Sequence, residues 1–464
     1  MASQAPAHAS AHKSERGFAK VLRRREVLTL SFGAMIGWSW VLMTAHWVQS
    51  AGSFGTLIAF AVGGFAITLV GLAYSELVSA MPNAGGEHVY TERALGRNWS
   101  FVCTWALLFA YTNVSLFESV ALPTAIEYLI PEIRIGTLWN VLGADVDTGF
   151  VLVGVVSAAL VTYINLIGIR AAAIFQTIAT GVIIFSGLVL ITGAVSFGSL
   201  ENVEPWIATP ATGILTVLIM VPAMLVGFDV IPQSAEEIDL PHAMIGKLLV
   251  ISVIVAVLWY VAVSFGVAMA LDASERASAT MATADAATSV WGYPFAGQLL
   301  VLGGIAGIVT SWNAFIVGGS RVLYALGEAG QVPRVFARLH PRWKTPYVGI
   351  LVIGGLSMLA PLCGRTVLVW LINTSSFGVM LAFLFVSISF VVLRRKEPDM
   401  PRPFRVAAGP LVGWGAIILS VALLCAFLPG SPSALVWPYE WGVLLVWSLI
   451  GLATWLWYNR KASS

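Results

Sequence analysis

Charge is what this chain has least of. Asp, Glu, Lys and Arg make up 10% of its 464 residues and hydrophobic residues 58%, whereas a soluble domain carries roughly 25% charged residues. That scarcity excludes an ordinary water-soluble fold and points to a polytopic membrane protein with almost no room for soluble domains. The net charge is only +2, and the basic residues are scattered between apolar runs, so no nucleic-acid footprint forms. Cysteine is nearly absent too. Cys103, Cys363 and Cys425 lie in or beside apolar runs, without metal-ligand or disulfide spacing, and are expected to be small buried residues. There is no intramembrane His-rich metal set, Walker motif or nucleophile elbow, so neither an enzyme nor an organic cofactor is expected. No cleavable signal peptide is expected either, because residues 1–26 are polar and rich in Ala, His and basic residues.

What is present is apolar sequence in span-length blocks. Twelve spans are expected, at residues 27–50, 54–80, 98–123, 150–169, 171–196, 211–234, 246–270, 296–323, 346–362, 366–392, 408–428 and 436–458. Basic residues collect on the cytoplasmic side of a membrane. With the N-terminus inside, only Arg134, Arg276 and Arg365 fall outside, leaving 22 of the 25 Lys and Arg on the inner side. Both termini are therefore expected in the cytoplasm, as tails 1–26 and 459–464 of a multi-pass protein of the cell membrane. The outer loop 271–295 is expected to hold a short surface helix. The inner loop 321–346, which mixes basic and apolar residues, is expected to hold an interfacial one.

Two spans are built to break. Residues 31–40, SFGAMIGWSW, place Gly33 and Gly37 inside span one, and each glycine costs about 1 kcal/mol relative to alanine in a helix interior. Span six, VPAMLVGFDVIPQSAEE at 221–237, is interrupted by Pro222, Gly227 and Pro232 and contains Asp229. Interrupted helices at matching places in two halves point to the midplane site of an inverted-repeat transporter. The expected fold is an all-α integral membrane protein. Spans one to five (27–196) and six to ten (211–392) form two inverted repeats, broken at spans one and six, with two further helices at 408–458.

The segment YSELVSAMPNAGGEHVYTERALG at 74–96, the broken span six ending in Glu236 and Glu237 before Asp239 and Pro241, and the 321–346 loop ending in Thr345 and Pro346 occur in order, each at an expected cytoplasmic end. Together they resemble the amino acid, polyamine and organocation permease superfamily over nearly the whole chain. The resemblance implies the leucine-transporter-like fold and alternating access, with backbone groups freed at the breaks binding the substrate. In family members that carry amino acids, a small-residue run in span one holds the substrate carboxylate. Here Gly33, Ala34, Met35, Ile36 and Gly37 keep the first part of that pattern. Trp38, Ser39 and Trp40 then replace the small residues, either filling the carboxylate's place or packing against neighbouring helices.

Asp229 is an intramembrane acid, which is costly and functional by default. It sits two residues after Gly227, where family members that exchange arginine and agmatine have a proton-linked acid. It is assigned to amine binding, proton coupling or both, with a capping acid at the break as the alternative. Phe228 beside it is either a gate or a packing aromatic. In span three, Tyr111, Ser115 and Glu118 share one helical face, which lines the cavity in the resembling exchangers. A second acid, Glu118, favours a cationic substrate and proton coupling; its alternative place is the outer interface. Thr310 and Ser311 of span eight, with the carbonyls of Gly33 and Ile36, match the second sodium site of the wider fold, so Na+ is a candidate coupling ion. Span five has no lysine to replace it. The alternative is hydroxyls bonded to backbone. Glu236 and Glu237 are expected to pair with Arg93, Arg97 or the Arg321 region as a cytoplasmic gate, or else to be plain surface carboxylates.

The function expected is a permease for an amino acid or small organic amine, a cationic amine slightly favoured, driven by protons, sodium or exchange. The alternative is a non-transporting sensor on the same fold. The partners expected are a small molecule and the lipid bilayer, with the oligomeric state open.

Overall fold

Apolar blocks with internally satisfied backbone can only be helices in a bilayer, and helices account for most of the computed structural model. It describes residues 17–463 apart from 210, 280, 432 and 433; the first sixteen residues of the expected N-terminal tail, with Lys13 and Arg16, lie outside the described residues.

Among the described residues, eight helices are long and apolar enough to cross a membrane. They are α4 (Ser53–Ala80), α6 (Arg97–Leu129), α7 (Thr148–Leu166), α8 (Ile169–Phe197), α11 (His242–Ala270), α14 (Pro294–Glu328), α16 (Val367–Lys396) and α18 (Tyr439–Ser463). Shorter apolar helices are α9 (Thr212–Met224), α15 (Tyr347–Leu359) and α17 (Gly409–Cys425). The first hydrophobic block is divided into α1 (Arg24–Met35), α2 (Ser39–Leu42) and α3 (Thr44–Ala51). The remaining helices are α5 (Glu87–Leu95), α10 (Val230–Gln233), α12 (Ala273–Ser278) and α13 (Ala282–Trp291). The helix α14 is the hub, packed against α1, α6, α8, α13 and α15. At 35 residues it extends roughly 50 Å at 1.5 Å per residue, more than the roughly 30 Å of a bilayer's hydrocarbon core.

The expectation of an all-helical chain needs correction at one place. Strands β1 (Thr137–Val141) and β2 (Ala144–Asp147) form an antiparallel hairpin. Leu142 and Gly143 both have positive φ, +50° and +87°, the turn that matches the twist of paired strands. Loop 271–295 holds two helices rather than one. On α12, Asp272 accepts from the amides of Ser274 and Glu275 at 2.8 Å, and Glu275 reciprocates to the Asp272 amide at 2.9 Å. The second, α13, is packed on α14 and α8 instead of lying at the surface. Loop 321–346 has no separate interfacial helix: α14 continues to Glu328, Gly330 turns the chain at φ +64°, and a short 3₁₀ turn follows at Arg334–Ala337. Cys103 is buried as expected, but Cys363 and Cys425 are exposed.

The two ends of the bundle differ in charge. At the hairpin end Arg134 and Arg365 both pair with Glu127, and Arg276 donates to the carbonyls of Asn202 and Glu204 at 2.7 and 2.9 Å. All three expected exceptions to the charge bias are therefore tied internally.

Candidate binding cavity

The two breaks cross in the middle of the bundle. The first helix stops at Met35, Ile36 leaves the helical region at φ −98°, ψ 76°, and α2 begins at Ser39. Gly37, not Gly33, is at the break. Gly33 lies inside α1, where a Cβ would meet the Gln176 amide nitrogen and come within 2.9 Å of the Thr310 Cβ. Its role is close approach. The amides of Gly37 and Trp38 have no backbone acceptor among the described residues, while a Cβ on Gly307 of α14 would meet the Gly37 and Ile36 carbonyl oxygens at 2.5 and 2.9 Å. Across from them α9 ends at Met224 and α10 begins at Val230. Between them Gly227, at φ +131°, allows a crossing so tight that a Cβ would lie 2.7 Å from the Ala34 Cβ and 2.9 Å from the Met35 nitrogen. Tyr260 of α11 ties both breaks together: its buried hydroxyl is 2.9 Å from the Met35 carbonyl, 3.4 Å from that of Met224 and 3.2 Å from the Ser39 hydroxyl.

A cavity of about 410 Å³ lies beside this crossing, a size suited to one small molecule. Of the residues expected to contact substrate, Ala34, Met35, Gly37, Trp38, Ser39 and Glu118 line it, as does Ser311. Its walls are otherwise mostly apolar, including Phe117, Met224 and Phe315. Thr124 near the end of α6 and Leu368 at the start of α16 lie at its edge, so it faces the hairpin end. Glu118 is the cavity's only acid among the described residues. Its side chain is 2% exposed, and its Oε2 has no hydrogen-bond partner. A Cβ built on Gly37 would sit 3.6 Å from Glu118 Oε1 and 3.8 Å from Ser311 Oγ, so carboxyl, hydroxyl and unwound backbone converge on one spot.

The rest of the expected set lies beneath the cavity or behind its wall. Ile36, Tyr111, Ser115, Gly227, Phe228 and Asp229 do not line it. Asp229 is fully buried, accepting a short hydrogen bond from the Tyr111 hydroxyl and one of 2.9 Å from the Gly227 amide. Phe228 packs edge-on to Tyr74 at 5.4 Å and against Phe383 at 5.2 Å, forming a layer below the crossing. Ser115 turns back to the Tyr111 carbonyl at 2.9 Å. Trp40 packs against Trp259, whereas Trp38 faces the cavity.

Gly33, Ile36, Thr310 and Ser311, expected around a cation, are divided by the geometry. Thr310 donates to the Gly307 carbonyl of its own helix at 2.9 Å, and Ser311, the next residue, faces Gly37 and Glu118. Beside Gly33 and Thr310 stands the amide of Gln176 from α8, a donor, 3.2 Å from the Thr29 carbonyl. Asn313 holds it by donating to Gln176 Oε1 at 2.7 Å, and Asn165 holds Asn313 at 2.9 Å. Gln176, Asn313 and Tyr260 were missed by sequence reasoning; polar groups in otherwise apolar spans were the available signal.

The opposite end is closed. Glu237 and Arg321 form a buried two-point ion pair at 2.8 and 3.0 Å. The segment before α1 crosses this end: the amides of Val21 and Leu22 donate to the Glu237 carbonyl at 2.9 Å, and the Asp239 amide to that of Leu22 at 2.8 Å. Glu236 instead accepts from the Ala84 amide at 3.2 Å. Arg93 and Arg97 do not reach either glutamate. Arg93 pairs with Glu397 at 2.9 Å, a bond that holds the Glu397 carboxyl below the usual carboxylate range, and Arg97 donates to the Gly330 carbonyl at 3.1 Å. The buried glutamate took the guanidinium that α14 brings inside the bundle, leaving the peripheral arginines to peripheral partners.

A family model described as amino acid permease matches residues 22–455. A branched-chain amino acid permease, BcaP, of Bacillus subtilis (strain 168) is 27% identical, over 98% of this chain and 96% of its own length. A methylthioribose transporter of the same organism is 24% identical over the same shares. Cationic amino acid transporter 4 of Mus musculus is 28% identical over 85% of this chain and 63% of its own length.

Proposed function

Because the chain belongs to the amino acid permease family, we propose that it is a secondary active transporter of an amino acid or small organic amine, a cationic amine being slightly favoured. The observation that carries this reading is Glu118. A carboxyl with an unpartnered oxygen, among apolar walls beside two unwound backbone segments, has to be neutralised by a proton or by a cationic group of a ligand. An ammonium placed there pairs with Glu118, the free amides of Gly37 and Trp38 face the polar end of the ligand, and the walls take its apolar part.

The eight long helices, three shorter ones and the divided α1–α3 are read as twelve spans. Residues 27–196 and 211–392 are the two inverted repeats and 408–458 the appended pair. The arginine-rich end with both termini is placed in the cytoplasm of a cell-membrane protein, so the cavity faces outward. Transport then requires the layer of Phe228, Asp229 and Tyr111 and the Glu237–Arg321 pair to part while the hairpin end closes. Asp229, held by Tyr111 directly beneath the ligand, is assigned to proton coupling. The donor amide of Gln176 at the place expected for sodium favours protons or exchange over Na+ as the driving partner.

The test combines thermal shift with uptake. L-arginine, L-leucine and putrescine are screened on the purified protein, since site binding stabilises the folded state by mass action, and labelled forms are followed into proteoliposomes with and without each ion gradient. Uptake of at least one is expected. Binding without uptake would replace the transporter reading with a sensor, and neither would overturn both.

A further inference from the structure

One buried acid takes no part in the cavity or in the pairs that close the inner end. Glu87 is the first residue of α5, the short helix after α4, and its side chain is fully buried. Its Oε2 accepts a short hydrogen bond from the Gln233 side-chain amide. Its Oε1 and the Tyr74 hydroxyl act on each other without a well-formed hydrogen bond, and Gln233 Oε1 has no protein partner. Buried polar atoms so poorly paired are uncommon in a folded protein, and three of them meet here.

The position of this group matters as much as its burial. Gln233 is four residues after Asp229, one turn further along the inner half of span six. Asp229, Gln233 and Glu87 therefore form a polar line from beneath the cavity toward the arginine-rich end. The joint between α5 and α10 is tight but lightly made. Gly86, at φ +24°, lies so near Pro232 that a Cβ would be 2.7 Å from the proline Cβ, and the Gly85 amide reaches the Gln233 carbonyl at 3.4 Å. Separating the two would expose Glu87 to water.

The ionisable groups facing Glu87 are Tyr74 from α4, Asp229 ahead of α10, Tyr111 and Cys103 from α6, and Tyr90 on its own helix. From α14 and α16, which also touch α5, no lysine or arginine is among the groups that act on it. Burial, and then the charge of Asp229, hold the Glu87 carboxyl well above the usual carboxylate range. His88 faces the other way, to Ser100 at 2.8 Å and Thr104 at 3.0 Å.

We propose that Glu87 is a proton-binding site on the inner half of the transport path, holding its proton while α5 is docked on α10 and releasing it when they part. In the release step the carboxyl O–H bond breaks, the proton passes to water at the opened end, and a carboxylate remains; closure reverses it. The coupling role rests on the transporter reading above, whereas the protonation itself does not.

Two measurements separate these. Infrared spectra of the full-length protein in lipid at neutral pH are compared with those of Glu87→Gln. Wild type is expected to keep a protonated-carboxyl band at neutral pH that the variant lacks; identical spectra in that region would overturn the proposal, whatever the protein transports. In proteoliposomes, with L-leucine, L-arginine and putrescine as probes, Glu87→Gln is expected to keep exchange of the transported probe but lose accumulation driven by a pH gradient. Glu87→Asp, which keeps an acid, is expected to restore part of it. Gradient-driven accumulation by Glu87→Gln at the wild-type level would overturn the coupling role. Absence of uptake by wild type would defeat the transporter reading and the coupling with it, and the spectra would still decide the protonation.

Discussion

Glu118 and Asp229 are both acids in the middle of a hydrophobic bundle, but their surroundings divide the work between them. Glu118 has an oxygen with no partner and a cavity in front of it. Asp229 has both oxygens engaged, one by Tyr111 and one by the Gly227 amide, and no cavity. The first arrangement suits a visiting cation, which supplies the missing partner. The second suits a group that reports whether the layer around it is closed. Sequence treated the two as equivalent candidates, and it is their hydrogen bonds that distinguish them.

The sharpest way to break this division is Asp229→Asn. Transport is expected to fall by about 10²-fold or more, the range for removing a positioned proton-transfer group, while ligand thermal shifts persist. Uptake with wild-type rate and pH dependence would refute the role given to Asp229. Glu118→Gln should act on binding. Affinity for a cationic ligand is expected to fall by roughly 1.5–3 kcal/mol, the worth of a hydrogen bond to a charged group, with neutral ligands spared; equal loss for both kinds, in titrations of L-arginine and L-leucine, would remove the amine from Glu118. Gln176→Ala tests whether the amide latch is structural, and about 1–3 kcal/mol of stability should be lost with its hydrogen bonds to Asn313 and the Thr29 carbonyl, which keep longer bonds to the Ala172 carbonyl at 3.3 Å and the Thr180 hydroxyl at 3.4 Å. A chemical denaturation curve unchanged from wild type would contradict this. If Gln176 also stands where an ion would, transport by the wild type should be indifferent to replacing Na+ with choline.

A pH slope is expected from the helix that begins at Glu87. Burial lowers the His88 imidazole from 6.5 to about 4. Its neutral form is favoured by the folded state, so its contribution is present above 6.5 and is lost as pH falls through that window toward 4, by at most about 1.4 kcal/mol per pH unit. A His88→Gln protein should show a flatter melting temperature between those values, and an unchanged slope would assign it to other groups.

What could be read from the chain was what depends on neighbours in sequence. Gly37 and Gly227 sit at the breaks because a residue's own backbone freedom is a local property, and the 74–96 segment and broken span six carried the family likeness unaided. Pairings across the bundle were not legible. Any of several arginines could have met Glu237, and only the placement of α14 decides for Arg321 over Arg93 or Arg97. Thr310 and Ser311 looked like one site, yet adjacent helical residues point about 100° apart, and they serve different neighbours. Gln176 read as one polar residue in an apolar span until α1 was seen to pass beside it. The β-hairpin was missed because its Leu142–Gly143 turn lacks the usual Asn-Gly signal.

The short bridge between Leu22 and Ile238 bears on how the molecule is made. Leu22 leaves the ribosome early, but its partner is synthesised more than two hundred residues later, on the order of ten seconds or more at about 5–20 residues per second. Throughout that interval the segment has nothing to dock on. This contact therefore cannot form until about half of the chain has been made, so the closed end is assembled after the first hydrophobic blocks rather than with them.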